Sequence, residues 1–236
     1  MAVFFLSAIE KSEVFCYNEI VIHTKGVKFM ANYVITIART CGSGGSYIGE
    51  ELSKKLGIKL YEQDILQLAS EESGISLDLF ARTDEELKMN PLFRFSKYIY
   101  SGELIPPSSS EFTSEENRFN YQAKVLKSLA EKENYIVIGR CADFVLKDVT
   151  KTVRVFVYAN KDDRVRTESE RLSLSMKEAE ARVEKVDKKR ADHYKYFTGK
   201  DRNNMNNYDI CINTSYLDYD KCADLIIDYM KLNNII

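Results

Sequence analysis

Short apolar runs alternate with segments of helical periodicity along most of the chain. Tyr33 to Ala38 is a β-type run, and the helix after it carries Ile48, Leu52 and Leu56 on one face. A second strand, Ile58 to Tyr61, leads through Glu62-Gln63-Asp64 into a helix ending near Ser70. A helix over about Glu115–Lys132 sets Phe119, Leu126 and Leu129 roughly on one side. Tyr135-Ile136-Val137-Ile138 reads as a strand buried on both faces, followed by a short helix over about Ala142–Lys147 and a buried strand from Val153 to Tyr158. Two helices follow, over about Asp162–Leu174 and from Met176 to about Tyr196, and Ser175 with Glu178 has the spacing of a capping box. A last strand, Asp209 to Ile212, precedes Asn213-Thr214-Ser215 and a helix over about Asp218–Leu232. Continuous apolar strands alternating with helices predict an α/β fold, a parallel sheet with helices on both faces. Ligands of such sheets bind beyond the carboxyl ends of the strands. Gly42, Asp64, Arg140 and Asn160 all follow strand ends and can therefore converge on one cleft.

Two stretches break this rhythm. Residues 75–118 hold all three prolines, Pro91, Pro106 and Pro107, and read as an insertion with helical pieces. Residues 1–29 show no clear periodicity and precede a second methionine, Met30. Lys25-Gly26-Val27 can be encoded by codons that contain a ribosome-binding purine tract just upstream of Met30. The expectation is that translation starts at Met30 and that residues 1–29 are leader sequence; the alternative is a native extension whose strand, Glu19 to His23, joins the sheet edge.

The strongest chemical signal lies between the first strand and first helix. The turn Gly42-Ser43-Gly44-Gly45-Ser46 is rich in glycine, and strand, glycine turn and helix N-terminus form a phosphate-binding geometry. Unpaired N–H groups and the positive end of the helix dipole both favour an anion there. Against the motif G-x-x-x-x-G-K-[ST], Arg39 takes the place of the first glycine, Gly45 that of the lysine and Ser46 that of the metal-binding hydroxyl. The alternative is a glycine-rich turn with no ligand. Arg39, at the strand end, is a candidate to replace the missing ammonium, because its planar fork engages phosphate bidentately. Its bland role is to brace the loop against a carboxylate.

Composition narrows the partners. A net charge of −2 argues against nucleic-acid binding by bulk electrostatics. No apolar run approaches membrane-spanning length. Five scattered cysteines without a C-x-x-C pair point to a reducing, cytoplasmic setting, and Cys41 reads as a small residue filling the turn. With His23 and His193 as the only histidines, histidine catalysis and a His-rich metal site are poor fits. From Arg164 to Arg202 lysine and arginine outnumber aspartate and glutamate twelve to eight, which suits either a solvated helix face or a cationic lid.

Three segments, ITIARTCGSGG, VIGRCADFVL and DKKRADHYKYFTG with YDICINTS, occur in the order of the cytidylate kinase-like family, which the chain resembles from residue 33 to 232. That family is a branch of the P-loop nucleoside monophosphate kinases. The resemblance implies a three-layer fold with a five-stranded parallel sheet, a monophosphate-binding insertion near 64–118 and a helical lid near 175–205, all within one domain over 30–236. It implies ATP and Mg²⁺ as cofactors and nucleotides as partners, and phosphoryl transfer to a monophosphate such as CMP or dCMP. A nucleotide-binding regulator with little turnover, or a kinase of another small acceptor, remains the alternative. Whether copies associate into a homo-oligomer stays open. The family's Gly-Arg-Asp after the third strand is Gly139-Arg140-Cys141 here, with Asp143 the nearest acid.

The residues implied for chemistry are Arg39, Arg140, Asp187 and Arg190. Asp187 and Arg190 form an i,i+3 pair, read either as a solvated ion pair or as an aspartate aiming an arginine at the transferring phosphate. Gly42, Ser43, Gly44, Gly45 and Ser46 would hold nucleotide, Ser46 also Mg²⁺. Asp64, Arg140 and Asp143 would meet the acceptor, with Asp143 reading an exocyclic amine of the base; Asp64 and Asp143 are equally read as helix caps. Arg164, Arg166, Arg171 and Arg182 are further lid candidates, while Tyr194, Tyr196 and Tyr208 read as packing residues.

Overall fold

The fold comes from a computed structural model that describes residues 15–17, 20–22, 32–85, 100–149 and 151–236. The chain divides into two compact units, 1–31 and 32–236. In the first, β1 (Phe15–Tyr17) pairs antiparallel with β2 (Ile20–Ile22), Cys16 opposite Val21. Of the strand foreseen over Glu19 to His23, the described residues are Ile20–Ile22, which pair with β1. The rest of the stretch read as leader lies outside the described residues.

The second unit is a three-layer α/β fold. Its sheet contains β3 (Tyr33–Arg39), β4 (Lys59–Tyr61), β5 (Tyr135–Ile138), β6 (Lys151–Tyr158) and β7 (Ile210–Asn213), in the order β4-β5-β3-β6-β7 and wholly parallel. β3 is central, Ile37 lying opposite Ile138 on one side and Val155 on the other. Its side chains alternate between two buried layers. Ile35 and Ile37 pack with Ile48 and Leu52 of α1 (Gly45–Leu56) and Ile226 of α8 (Tyr219–Leu232). Val34 faces the opposite layer, with Ile65 of α2 (Asp64–Ser73) and Leu126 of α4 (Glu115–Lys132). Both faces are covered, which is why these strands read as continuous apolar runs.

Between α2 and α4 the insertion includes α3 (Leu77–Glu85); Pro91 lies outside the described residues. After β5 comes the short α5 (Ala142–Val145), and after β6 come α6 (Lys161–Leu172) and α7 (Met176–Thr198). Ser173, in the left-handed region at φ 53°, ends α6. The capping box of Ser175 and Glu178 is formed, each side chain answering the other's backbone N–H. Gly199 at φ 69° stops α7, so the stretch read as a lid is mostly one long helix.

A buried amide fixes part of the insertion. Asn117, at the start of α4, accepts from the Ile105 N–H at 2.8 Å and donates to the Ile105 carbonyl at 3.1 Å and the Phe112 carbonyl at 2.7 Å. One turn on, Asn120 donates to the Glu103 carbonyl at 2.5 Å. These bonds supply the backbone partners that an irregular segment lacks. Asn117→Ala should therefore raise amide exchange across 103–112 by about tenfold and lower stability by about 1–3 kcal/mol, the scale for leaving buried polar groups unanswered. Exchange mass spectrometry with urea denaturation checks both; unchanged exchange in that segment would mean that other contacts hold it.

Candidate active site

The loop from β3 to α1 lies at the carboxyl end of the sheet, at the floor of a cleft of about 970 Å³. Gly42 and Gly44 are left-handed, at φ 77° and 79°. A Cβ on Gly42 would come 2.5 Å from the Arg164 carbonyl oxygen, and one on Gly44 would enter the ring of Tyr219, itself stacked on Tyr47. Packing within the protein thus already requires both glycines. The Ser43 hydroxyl is turned inward, donating to the carbonyls of Thr40 at 2.9 Å and Val157 at 3.1 Å, so this side chain braces the loop and is not presented to a ligand. What faces the cleft is backbone. No side chain caps α1 and no acidic residue lies in its first turn, which leaves the N–H groups of Gly45, Ser46 and Tyr47 without intrahelical acceptors.

Arg39 crosses the place where the motif carries lysine. A Cβ on Gly45 would lie 2.7 Å from Arg39 Cβ and 2.9 Å from Cγ, and one on Gly139 would lie 2.5 Å from Arg39 Nη1. The arginine therefore runs between two glycines and reaches Glu62, where Nη2 donates to Oε1 at 2.9 Å. Burial pushes its guanidinium down to about 9; Arg190, Arg202 and Arg140 push the same way and Glu62 alone opposes them. An arginine so placed keeps its charge at neutral pH. Mutual repulsion among these cations is relieved by an anion in the cleft.

Arg140 follows β5 in an unusual turn. Gly139, Arg140 and Cys141 are all left-handed, at φ 73°, 57° and 50°. For the two non-glycine residues that conformation costs about 1–2 kcal/mol each. The turn is held because the Gly139 N–H donates to the Ile37 carbonyl and Arg140 Nε donates to the Glu62 carbonyl at 3.2 Å. Arg140 lines the cleft as expected. Burial pushes the Cys141 thiol well up, and its Sγ sits 3.7 Å from His193 Nδ1. The Cys41 thiol is likewise pushed up to about 11, chiefly by burial, which fits a residue filling the turn.

On α7 the expected pairing changes. Asp187 and Arg190 share a helix face, but α6 packs alongside and Arg164 takes the carboxylate: Arg164 Nη1 donates to Asp187 Oδ2 at 2.5 Å. Asp187 Oδ1 accepts from the Cys41 N–H at 2.7 Å, so this aspartate ties both helices to the loop and is absent from the cleft lining. Arg190 donates instead to the Arg39 carbonyl at 3.2 Å, and Arg202 donates to the same oxygen. Arg171 and Arg182 line the cleft with their guanidinium groups on the buried Glu168. Arg164 and Arg166 are not part of the lining, and Arg166 is an exposed partner of Asp163.

Asp64 and Asp143, each read either as an acceptor contact or as a helix cap, are placed differently. Asp64 is the exposed first residue of α2 and does not line the cleft, because β4 ends at Tyr61 and Glu62 takes the inward position. Asp143 does line it, buried beside α7, with Tyr194 Oη donating to its Oδ2 at 2.6 Å. Burial pushes its carboxyl up, while the Tyr194 bond pulls it down. Asp143 does not act as the cap of α5, whose N-cap is Cys141. Tyr194 and Tyr208 are buried packing residues, Tyr208 Oη donating to the Arg202 carbonyl at 2.8 Å.

Glu62 and Arg202 are cleft residues that sequence reading passes over. The choice between three adjacent polar residues after β4 depends on where the strand stops. Arg202 lies in a turn with no motif to mark it; burial lowers its guanidinium, and it stands 5.4 Å from the centroid of the Phe156 ring.

For a divalent cation the available donors are hard oxygens. Ser46 Oγ lies 3.3 Å from both carboxylate oxygens of Glu62. Among the described residues no group of three or more His, Cys, Asp or Glu side chains could hold a metal alone. One hydroxyl and one carboxylate suit Mg²⁺, which completes its shell with substrate phosphates and water. Among the same residues no helix is long and apolar enough to cross a membrane.

The model of the cytidylate kinase-like family matches residues 34–216. The cytidylate kinase of Thermoplasma acidophilum is 27% identical over 205 residues, which span 85% of this chain and 95% of that protein. That of Methanopyrus kandleri is 25% identical over 207 residues, 84% of this chain and 93% of its own. A crystal structure from Eubacterium ventriosum superposes with a TM-score of 0.63 at 23% identity, covering 85% of this chain and 99% of that one, a likeness of fold.

The Arg39–Gly45 contact generates a test. Gly45→Ala should cost about 1–3 kcal/mol by overpacking. In an Arg39→Gly background the same change should cost under about 1 kcal/mol, since the clashing Cβ and Cγ are gone. Urea denaturation of the four proteins in this cycle measures the coupling, and additive effects would show that the two positions do not meet.

Proposed function

The chain belongs to the cytidylate kinase-like family, and we propose that it transfers a phosphoryl group from ATP to a nucleoside monophosphate, CMP or dCMP being the preferred class of acceptor. Its P-loop kinase-like fold is the premise. The observation that carries the proposal is the gathering of Arg39, Arg140, Arg190 and Arg202 beside the uncapped N-terminus of α1. Phosphoryl transfer asks little covalent chemistry of a protein; it needs in-line placement and positive charge around the moving group.

In this reading the amides of Gly45, Ser46 and Tyr47 hold the donor phosphates. Ser46 and Glu62 would hold Mg²⁺, which would offset the charge of the phosphates. Arg39 supplies the cation that the loop's missing lysine would give. Arg140, anchored through the Glu62 carbonyl, orients the acceptor's own phosphate with Arg202. Arg190 contributes charge from α7, and Asp187 keeps α7 against the loop as a positioning residue. Asp143, a buried carboxylate in the cleft wall, accepts from an exocyclic amine, which favours cytosine over uracil.

A second reading has its own support. With Cys41 N–H already answered by Asp187 and Arg39 by Glu62, the cleft is partly self-satisfied. A nucleotide-binding regulator with little turnover fits that arrangement.

A panel of monophosphates assayed with ATP and Mg²⁺ separates the two. Cytidine acceptors should give diphosphate product fastest, and Arg39→Ala should lower kcat about 10²-fold or more, the scale for losing one charge-stabilising donor. Tight nucleotide binding without product from any monophosphate would favour the regulator. Unchanged kinetics in Arg39→Ala would remove Arg39 from the mechanism.

A further inference from the structure

Glu62 stands between a cation and a hydroxyl. Its Oε1 accepts from Arg39 Nη2 at 2.9 Å, and both carboxylate oxygens lie 3.3 Å from Ser46 Oγ, in the first turn of α1. Its backbone is fixed, since Arg140 Nε donates to the Glu62 carbonyl. Arg39 is mostly shielded, its side chain 18% exposed, while that of Glu62 is 36% exposed, so the carboxylate is the partner more open to a ligand.

This carboxylate sits beside the helix end at which a polyphosphate would be received. An anion on the amides of Gly45 to Tyr47 is repelled by Glu62 unless a cation comes between them. Arg39 as it stands does not fill that role. Its aliphatic stem covers Gly45, Nη1 lies over Gly139 and Nη2 is on Glu62, so the fork is turned toward the ends of β4 and β5. The Ser46 hydroxyl and Glu62 carboxylate, by contrast, are the oxygen donors a small divalent ion takes when phosphates complete its shell.

We propose that Glu62 is an exchange switch: without metal nucleotide it holds Arg39 in an ion pair, and with metal nucleotide it turns with Ser46 to the divalent cation and releases Arg39 to the phosphates. The proposal rests on the phosphate-loop reading above. A loop lysine stays beside the phosphates whether or not metal is present. Here the cation is delivered only with the metal, so the site distinguishes metal-bound nucleotide from free nucleotide.

Titration calorimetry of the full chain with ADP, in EDTA and in excess Mg²⁺, tests this apart from turnover. Wild type should bind ADP about tenfold more tightly with Mg²⁺, the scale of one charge-assisted hydrogen bond gained. Glu62→Gln, isosteric but uncharged, should bind ADP in EDTA about tenfold more tightly than wild type, because Arg39 is no longer held. Its gain on adding Mg²⁺ should fall to about twofold or less. Arg39→Ala in the same chain should abolish the gain seen in EDTA, and Ser46→Ala should lower the Mg²⁺ gain without raising affinity in EDTA. Thermal melts of each variant confirm folding. The switch is overturned if Glu62→Gln binds ADP in EDTA no better than wild type, or keeps the full Mg²⁺ gain. If folded wild type binds ADP in neither condition, the phosphate-loop reading fails and the switch with it.

Discussion

The ion pair between Arg39 and Glu62 sets the form of the cleft. To make it, an arginine at the end of the central strand crosses two neighbouring elements, and each must lack a side chain where it passes. Gly45 opens α1 and Gly139 closes β5 for this reason. The consequences reach further along the chain. With Gly139 left-handed, Arg140 and Cys141 follow in the same region of backbone space, and Arg140 comes to rest on the Glu62 carbonyl. No side chain fits at Gly45 while Arg39 lies across it.

The Arg39 backbone matters as much as its side chain. Its carbonyl, at the carboxyl end of β3, accepts from Arg190 and Arg202. Two residues on, the Cys41 N–H donates to Asp187. The strand end thus draws in α7 and the turn after it by ordinary backbone hydrogen bonding. The cationic wall assembles on a rigid element, which keeps its members in register with the uncapped turn of α1. Bonds from charged groups are roughly twice as strong as neutral ones, so this wall needs no ligand to keep its shape.

Much of the fold is legible in the sequence because the parallel sheet is buried on both faces. Tyr135 to Ile138 has no polar alternation to obscure it, and the glycine turn marks the first strand's end. The cytidylate kinase-like resemblance is carried by such segments, and it implies the five-stranded parallel sheet. Side-chain pairing is less legible. Asp187 and Arg190 are neighbours on one helix, yet α6 places Arg164 in line with the carboxylate, a contact across 23 positions. Asp64 and Glu62 differ by two positions, and which one faces the cleft depends on β4 ending at Tyr61. Ser43 and Ser46 sit in the same turn, but the left-handed backbone at Gly42 and Gly44 rolls Ser43 inward. Arg202 is invisible in the pattern because its position depends on where a turn folds back after α7.

The cleft also bears costs. The protein leaves an α-helix of twelve residues uncapped, holds two non-glycine residues left-handed and buries an arginine among arginines. Removing any of Arg190, Arg202 or Arg140 would ease the field on Arg39. The open helix end and the gathered arginines both leave positive potential facing one volume. Local strain and unmet charge collect where a ligand restores the balance. The charge deficit in this volume is of the kind a polyphosphate fills, and the Glu62 carboxylate beside Ser46 is where a divalent cation would share the load with Arg39.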